Sequence, residues 1–584
     1  MACYAAGTVF LRTVTANNVE YVQLVHNEWV EGRSKTRVLY GFGRKSELDV
    51  AALERLVQSI LRYLDPDVAA GIREQAGLET PFEFLGAKTM GGAFVLDAMW
   101  ERLGIKRALA KSLAGRGFEV PIERLLFALV AQRALDPGSK LAAERWVAER
   151  AFVPGLPSVE VQQLYRAMDY LLEAHDEIQR DVFWNVRNLF NLEVDVLFID
   201  TTSTYFEIEG VDPDDEGEAD DEDGDEGDGA ALDAEAERAR RGLRKRSRHS
   251  KDSRPDLAQV VIGFAVTRDG IPVRCWVWPG NTVDATVISE VKRDLNEWKL
   301  GRIVAVMDTG FNSEANRRVL QGAGDAFIIG EKMRLGKDGT PPEALKRQGR
   351  YKTLANGLRV KEVIINKGSV TARRFVIVHN PDQAERDRAK REDIVRETER
   401  RLANLTQLDG EEHHQATCEL RAHKTFGRYV RQLKGGRLAI DKAKIATEAK
   451  LDGKYLISTS DDHLSAEDVA LGYKQLHEIE RVHRDLKHTV DVRPVYHRKR
   501  ERIKAHVLLC WLALLLIRVI ENETSDTWGN LKQTLWQLMA GQHRTQHGVI
   551  TQTSTPTSDV KSVLDALHLN APKRYLDIPR PHKA

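Results

Sequence analysis

Two short apolar runs, each reaching an aspartate, constrain this chain more than any other feature. Val194-Asp-Val-Leu-Phe-Ile-Asp200 reads as a buried strand that stops on Asp200. Arg302-Ile-Val-Ala-Val-Met-Asp308-Thr-Gly-Phe repeats the pattern, with a glycine turn and a helix predicted from about Asn312. A lone aspartate after a strand is equally well explained as a cap on the next turn or helix. Two such carboxylates side by side without a cation would repel, and one would take up a proton.

Downstream, Tyr473 to Lys487 predicts one charged amphipathic helix. Tyr473, Glu480 and Lys487 recur at intervals of seven, Leu476, His483 and Arg484 share their stripe, and Glu478 faces elsewhere. That stripe is too polar for ordinary core, although a solvated helix laced with ion pairs would also read this way. Two strand-end carboxylates and a helical one, here Asp200, Asp308 and Glu480, are what a two-metal phosphoryl-transfer site would need. Mg2+ and Mn2+ take hard oxygen ligands, and two ions about 3.5–4 Å apart stabilise both attacking and leaving oxygens.

The surrounding pattern predicts the fold. Residues 1–46 alternate, as in Val19 to Val25, and predict a small antiparallel β element. Helical periodicity fills 47–192, with segments Leu53 to Leu64, Phe94 to Leu103, Ile122 to Leu135, Lys140 to Arg150 and Ser158 to Leu172. From 193 to 334 the order becomes strand, hairpin (around Arg268-Asp-Gly270), helix, strand ending at Asp308, helix, strand. That is the order of an RNase H-like mixed sheet flanked by helices, an α/β fold. Residues 335–450 predict a mixed α+β insertion, because 172 positions between Asp308 and Glu480 exceed what one connection needs. The core resumes in 451–522, and 523–584 reads as C-terminal helices and tail.

The formal net charge of zero conceals a division. Residues 209–237 hold 16 acidic side chains and no Lys or Arg, so the remainder carries 71 acidic against 87 basic residues, a formal +16. Such an excess suits a polyanionic partner. The acidic run is disordered by composition. It reads either as an electrostatic lid over the basic stretch Arg238 to Lys251 or as a tolerated surface loop. Residues 481–506 hold nine Lys or Arg against three acids, densest at His497 to Lys504. Phosphate contacts from such a segment would position DNA without reading its sequence.

Other chemistries are disfavoured. Cys3, Cys275, Cys418 and Cys510 form no CxxC pair, which argues for a reducing compartment and against a zinc module. His477, His483 and His488 match no common zinc spacing. No GxxxxGK[ST] motif is present, so ATP use is not expected. Val507 to Ile517 is too short to span a bilayer and reads as a buried helix, with no membrane partner expected. Trp276 and Trp278 read as packing rather than as stacking platforms for a base.

The chain resembles bacterial insertion-sequence transposases of the DDE type, in the superfamily whose third acid lies in a Tyr-x2-Arg-x3-Glu-x6-Lys helix. Here the register is Tyr473, Leu476, Glu480, Lys487; leucine stands where the pattern has arginine, so Arg481 or Arg484 takes that contact or it is absent. His249 to Gln259, Trp278-Pro-Gly-Asn-Thr282 and Asp308-Thr-Gly-Phe carry further likeness. The resemblance implies Mg2+ or Mn2+, two ions per site, held by Asp200, Asp308 and Glu480, and hydrolysis at transposon ends followed by strand transfer. It implies terminal phosphate contacts from Tyr473 and Lys487, and the basic residues Arg484, Arg498, Lys499, Arg500, Lys251 and Arg254 are the further DNA-binding candidates. The expected partners are transposon-end DNA bound at its inverted repeats, with 47–192 as the end-binding region, and target DNA, engaged by a homodimer in the bacterial cytoplasm at the nucleoid. The rival readings are a catalytically inactive DNA-binding derivative and an RNase H-like nuclease without strand transfer.

Overall fold

The computed structural model describes residues 9–30, 33–64, 72, 83–117, 120–189, 196–207, 212, 242–248, 250–298, 302–334, 340–369, 371–545 and 548–577. Apart from Asp212, the acidic run 209–237 lies outside them, as do residues 238–241 and 249 of the basic stretch. The chain divides into two compact units: Met1–Leu85 with Gln542–Ile550 and Asp577–Ala584, and Gly86–Gly541 with Thr551–Leu576.

In the first unit, β1 (Val9–Ala16), β2 (Val19–Val30) and β3 (Arg33–Arg44) form an antiparallel sheet. Asn17 and Asn18 make the two-residue β1–β2 turn, both at positive φ (51° and 65°). A turn of that hand matches strand twist, and asparagine tolerates it better than other side chains. Helix α1 (Val50–Leu61) follows, its first turn capped by Asp49, which accepts from the Ala52 amide at 3.0 Å.

The second unit is mixed α/β. Its centre is a nine-stranded sheet of β4 (Val196–Tyr205), β5 (Gln259–Val266), β6 (Pro272–Pro279), β7 (Val304–Met307), β8 (Ala326–Glu331), β9 (Lys352–Thr353), β10 (Arg359–Ile365), β11 (Arg373–His379) and β12 (Lys454–Thr459). The spatial order is β9-β10-β11-β12-β8-β7-β4-β5-β6. Only β4–β7 and β7–β8 pair in parallel; the other neighbours are antiparallel. The β5–β6 hairpin turns through Gly270 at φ 73°, as its Asp-Gly signal predicts.

Two departures from the sequence reading matter for the site. Asp200 is internal to β4 rather than its last residue. The β-branched Thr201, Thr202 and Thr204 continue pairing with β5 down to Tyr205, whereas the parallel pairing with β7 ends at Phe198↔Val306. The segment 335–450 is also divided: β9 to β11 extend the main sheet, while Pro381–Ala449 forms helices and a small hairpin around Leu405, Leu420 and Leu438. That second piece hangs between β11 and β12, where the Asn380 amide donates to the Gly453 carbonyl at 2.7 Å.

Helix α2 (Ile122–Leu135) has the limits its periodicity predicts. Near the site lie α3 (Ile288–Glu297), α4 (Ala466–Lys474) and α5 (His477–His488). The one helix predicted over Tyr473 to Lys487 is broken at Gln475 and Leu476, so Tyr473 belongs to α4 and Glu480 to α5. Helix α6 (Arg500–Thr524) is apolar on every side through its middle, where every residue from Ala505 to Ile520 is buried. It packs on α2 and β6, and its Trp511 indole donates to the Pro272 carbonyl at 2.8 Å.

Beside α6, the buried Lys140 ammonium lies 3.1 Å from His506 Nδ1, while His506 Nε2 donates to the Val492 carbonyl. Burial, then the nearby Arg133 charge, lowers Lys140 to about 7. Between pH 7 and about 10 the unfolded chain therefore binds a proton that the folded chain does not. Stability rises with pH in that window, by up to about 1.4 kcal/mol per unit from this group. Urea unfolding of wild type and Lys140→Met at pH 7.5 and 9.5 should show the wild type gaining on the variant at the higher pH.

Candidate active site

Register sets the site. Two residues beyond the last parallel rung, Phe198↔Val306, stand Asp200 on β4 and Asp308 after β7. They share one height and one sheet face on neighbouring strands, whose backbones run about 5 Å apart. Asp308 also caps the turn Thr309–Phe311, one of its oxygens accepting from the Gly310 amide at 2.7 Å. The capping and the functional readings of this residue are therefore compatible.

A third carboxylate joins them that strand patterns could not flag. Asp284 opens a short turn before α3, and its Oδ1 accepts from the Thr201 hydroxyl. An ideal Cβ on Gly310 would lie 3.0 Å from Asp308 Oδ1 and 3.2 Å from Asp284 Oδ2, so glycine keeps that space open. The Lys251 ammonium lies 3.0 Å from Asp284 Oδ2 and 3.7 Å from Asp200 Oδ1, and donates to the Thr201 carbonyl at 2.7 Å and hydroxyl at 2.5 Å. Burial pushes Asp200 up to about 7; Lys251 opposes the shift, while Asp308 and Asp284 add to it. The available signal for Asp284 was its place just after Trp278-Pro-Gly-Asn-Thr282, a segment already marked by resemblance.

Helix α5 packs on β4 and β5 and carries Glu480 in an exposed position. One helical turn on, His483 Nδ1 lies 3.6 Å from Asp200 Oδ2, its ring 5.9 Å from that of Phe264. Burial first, then Lys251 and Lys487, lower His483 to about 3, so this imidazole is neutral beside Asp200. Tyr473 stacks on Tyr455 with ring centroids 5.9 Å apart. Its hydroxyl occupies the space over Gly330 where any side chain would collide. Burial, then the charges of Asp308, Tyr455 and Glu480, raise that phenol to about 12. Tyr473 thus lies within the field of both acids.

The basic candidates divide. Lys487 is largely buried and pairs with Asp252 at 2.8 Å, with Arg493 3.8 Å from the same carboxylate. Arg254 pairs with Asp256 at 2.8 Å and lies over the Tyr205 ring. Arg484, Arg498 and Lys499 are exposed, and Arg500, the first residue of α6, is half-buried. Trp276 and Trp278 are buried and donate to Asp294 and Glu290, as packed residues do. Among the described residues, no three His, Cys, Asp or Glu side chains already form a metal cage. The donors are nevertheless of the right kind, since clustered carboxylate oxygens that push one another toward protonation are relieved by a hard cation.

Comparison with protein families gives two matches: residues 231–516 match the transposase DDE domain, and residues 11–71 match the N-terminal domain of IS1634 family transposases. No curated protein matches. Among solved structures, a piggyBac transposase synaptic complex with hairpin DNA aligns at 11% identity and TM-score 0.32, over 76% of this chain and 79% of that one. The two family matches are non-overlapping, share one function and together span well over half of the chain; it belongs to the insertion-sequence DDE transposases, enzymes that bind, cleave and transfer DNA.

Proposed function

We propose that Asp200, Asp308 and Glu480 are the acidic triad of this transposase and hold two Mg2+ or Mn2+ ions. The observation that carries the reading is the shared offset of Asp200 and Asp308 past the last β4–β7 rung, with the helix of Glu480 packed on β4 and β5. The order β6-β5-β4-β7-β8, parallel only at β4–β7 and β7–β8, supports an RNase H-like core. Pro381–Ala449 would then be the insertion proper.

Bound divalent ions would neutralise the phosphodiester and align the displacement. The protein's own groups do the rest. Asp308 is held rigid by its cap on Gly310, and His483 supports Asp200 from the α5 side without adding charge. Tyr473 stays a neutral phenol at working pH and can donate to a phosphate oxygen. Exposed Arg484, Arg498 and Lys499 supply phosphate contacts along the DNA backbone. Substrates are the inverted-repeat ends and a target duplex, engaged by a homodimer because two ends require two sites.

Incubation of the full-length protein with labelled end DNA and Mg2+ or Mn2+ tests this. Cleavage followed by joined product is expected. No cleavage would point to an inactive DNA-binding derivative, and cleavage without joining to a nuclease.

A further inference from the structure

One cation already sits among the acids. The Lys251 ammonium is surrounded by four oxygens: Asp284 Oδ2 at 3.0 Å, Asp200 Oδ1 at 3.7 Å, the Thr201 carbonyl at 2.7 Å and the Thr201 hydroxyl at 2.5 Å. These are carboxylate, carbonyl and hydroxyl donors, the same hard set that Mg2+ or Mn2+ selects. The side chain is delivered by a fixed backbone, because the Lys251 amide donates to Ser203 Oγ at 3.1 Å and the next residue, Asp252, pairs with Lys487 of α5. The Lys251 side chain is still 36% exposed, so its four-carbon stem can swing to solvent without its backbone moving.

We propose that Lys251 is a tethered surrogate cation: in the DNA-free protein it holds Asp200 to Asp284, and a divalent ion must displace it to bind. The proposal rests on Asp200 being a metal ligand. The ammonium and a divalent ion would compete for the same oxygens of Asp200, Asp284 and Thr201, so the ion takes them only when the lysine leaves. Once displaced, the lysine becomes a mobile cation at the mouth of the site, where the DNA phosphate must arrive. Loading of metal and engagement of the backbone are thereby linked through one side chain.

The test is titration of Mn2+ alone into full-length, metal-free protein, read by calorimetry and by the loss of the free-ion electron paramagnetic resonance signal. Lys251→Met should bind Mn2+ about tenfold more tightly than wild type, or better. Lys251→Gln, of similar length and hydrogen-bonding capacity, should show the same direction and covers the case in which the methionine variant misfolds. Asp200→Asn should abolish the tight event in either background. Unchanged or weaker Mn2+ binding in both lysine variants, with Asp200→Asn still abolishing it, would overturn the surrogate and leave the metal reading standing. Mn2+ binding indifferent to Asp200→Asn would overturn both.

Discussion

Asp200→Asn is expected to lower strand cleavage by on the order of 10^3-fold or more while leaving binding to end DNA nearly intact. Asparagine keeps the shape and one oxygen but removes the charge on which a metal-dependent displacement relies. The fold should tolerate the change. Burial and two neighbouring carboxylates push Asp200 up to about 7, so the native site already disfavours its ionised form. The sign follows: a carboxyl raised above its unfolded value contributes stability at low pH that is lost as pH rises from about 4 through 7. In metal-free protein the variant should therefore gain on wild type across that window, as measured by urea midpoints. Glu480→Gln, at an exposed position, should remove cleavage with little effect on stability. Full cleavage by either variant would exclude that residue from the triad; unfolding of Asp200→Asn would make the carboxylate structural.

Arg518→Met should be the most damaging single change outside the acids, at about 3–5 kcal/mol of folding stability. Arg518 is 1% exposed in α6, 2.9 Å from Glu521 and 3.3 Å from Asp485 of α5. Glu521 also receives Arg481 of α5 at 3.1 Å and the Trp528 amide at 2.8 Å. Methionine fills the volume but removes one ion-pair partner from each of two shielded carboxylates, and the loss comes from those partners rather than from the pair itself. Adding Asp485→Asn and Glu521→Gln should recover much of it, a non-additivity visible in thermal unfolding. Because this network bolts the Glu480 helix to the core, Arg518→Met should also depress cleavage below what its folded fraction explains.

Local signals were the readable part of this architecture. Ile122 to Leu135 delimited a helix because its apolar residues and flanking breakers act within one segment. The apolar runs before Asp200 and Asp308 revealed buried strands for the same reason, while their parallel pairing came only with the fold. What could not be read depends on partners remote in sequence. Asp200 lies inside β4 because Gln259–Val266 pairs past it, and no residue near 200 reports that partner. The sequence offers Lys487 as a phosphate ligand, and nothing near it reports that Asp252, 235 positions earlier, pairs with it. Asp284 joins the acids only through Thr201 and Lys251, across a turn that reads as an ordinary helix start. The break at Gln475 and Leu476 is a tertiary effect: Tyr473 packs over Gly330 while α5 lies on β4 and β5, and one straight helix would not meet both.

The junction at Asn380 and Gly453 has a consequence for how such proteins diversify. A stalk whose two ends are fastened to each other, by the Asn380–Gly453 backbone hydrogen bond and by Asp387 and Arg391 on Gly453 and Asp452, works as a graft point. Material spliced between those ends lengthens the molecule outward, while the strands bearing the acids keep their alignment. New docking or regulatory modules can thus be tried there without rebuilding the chemistry.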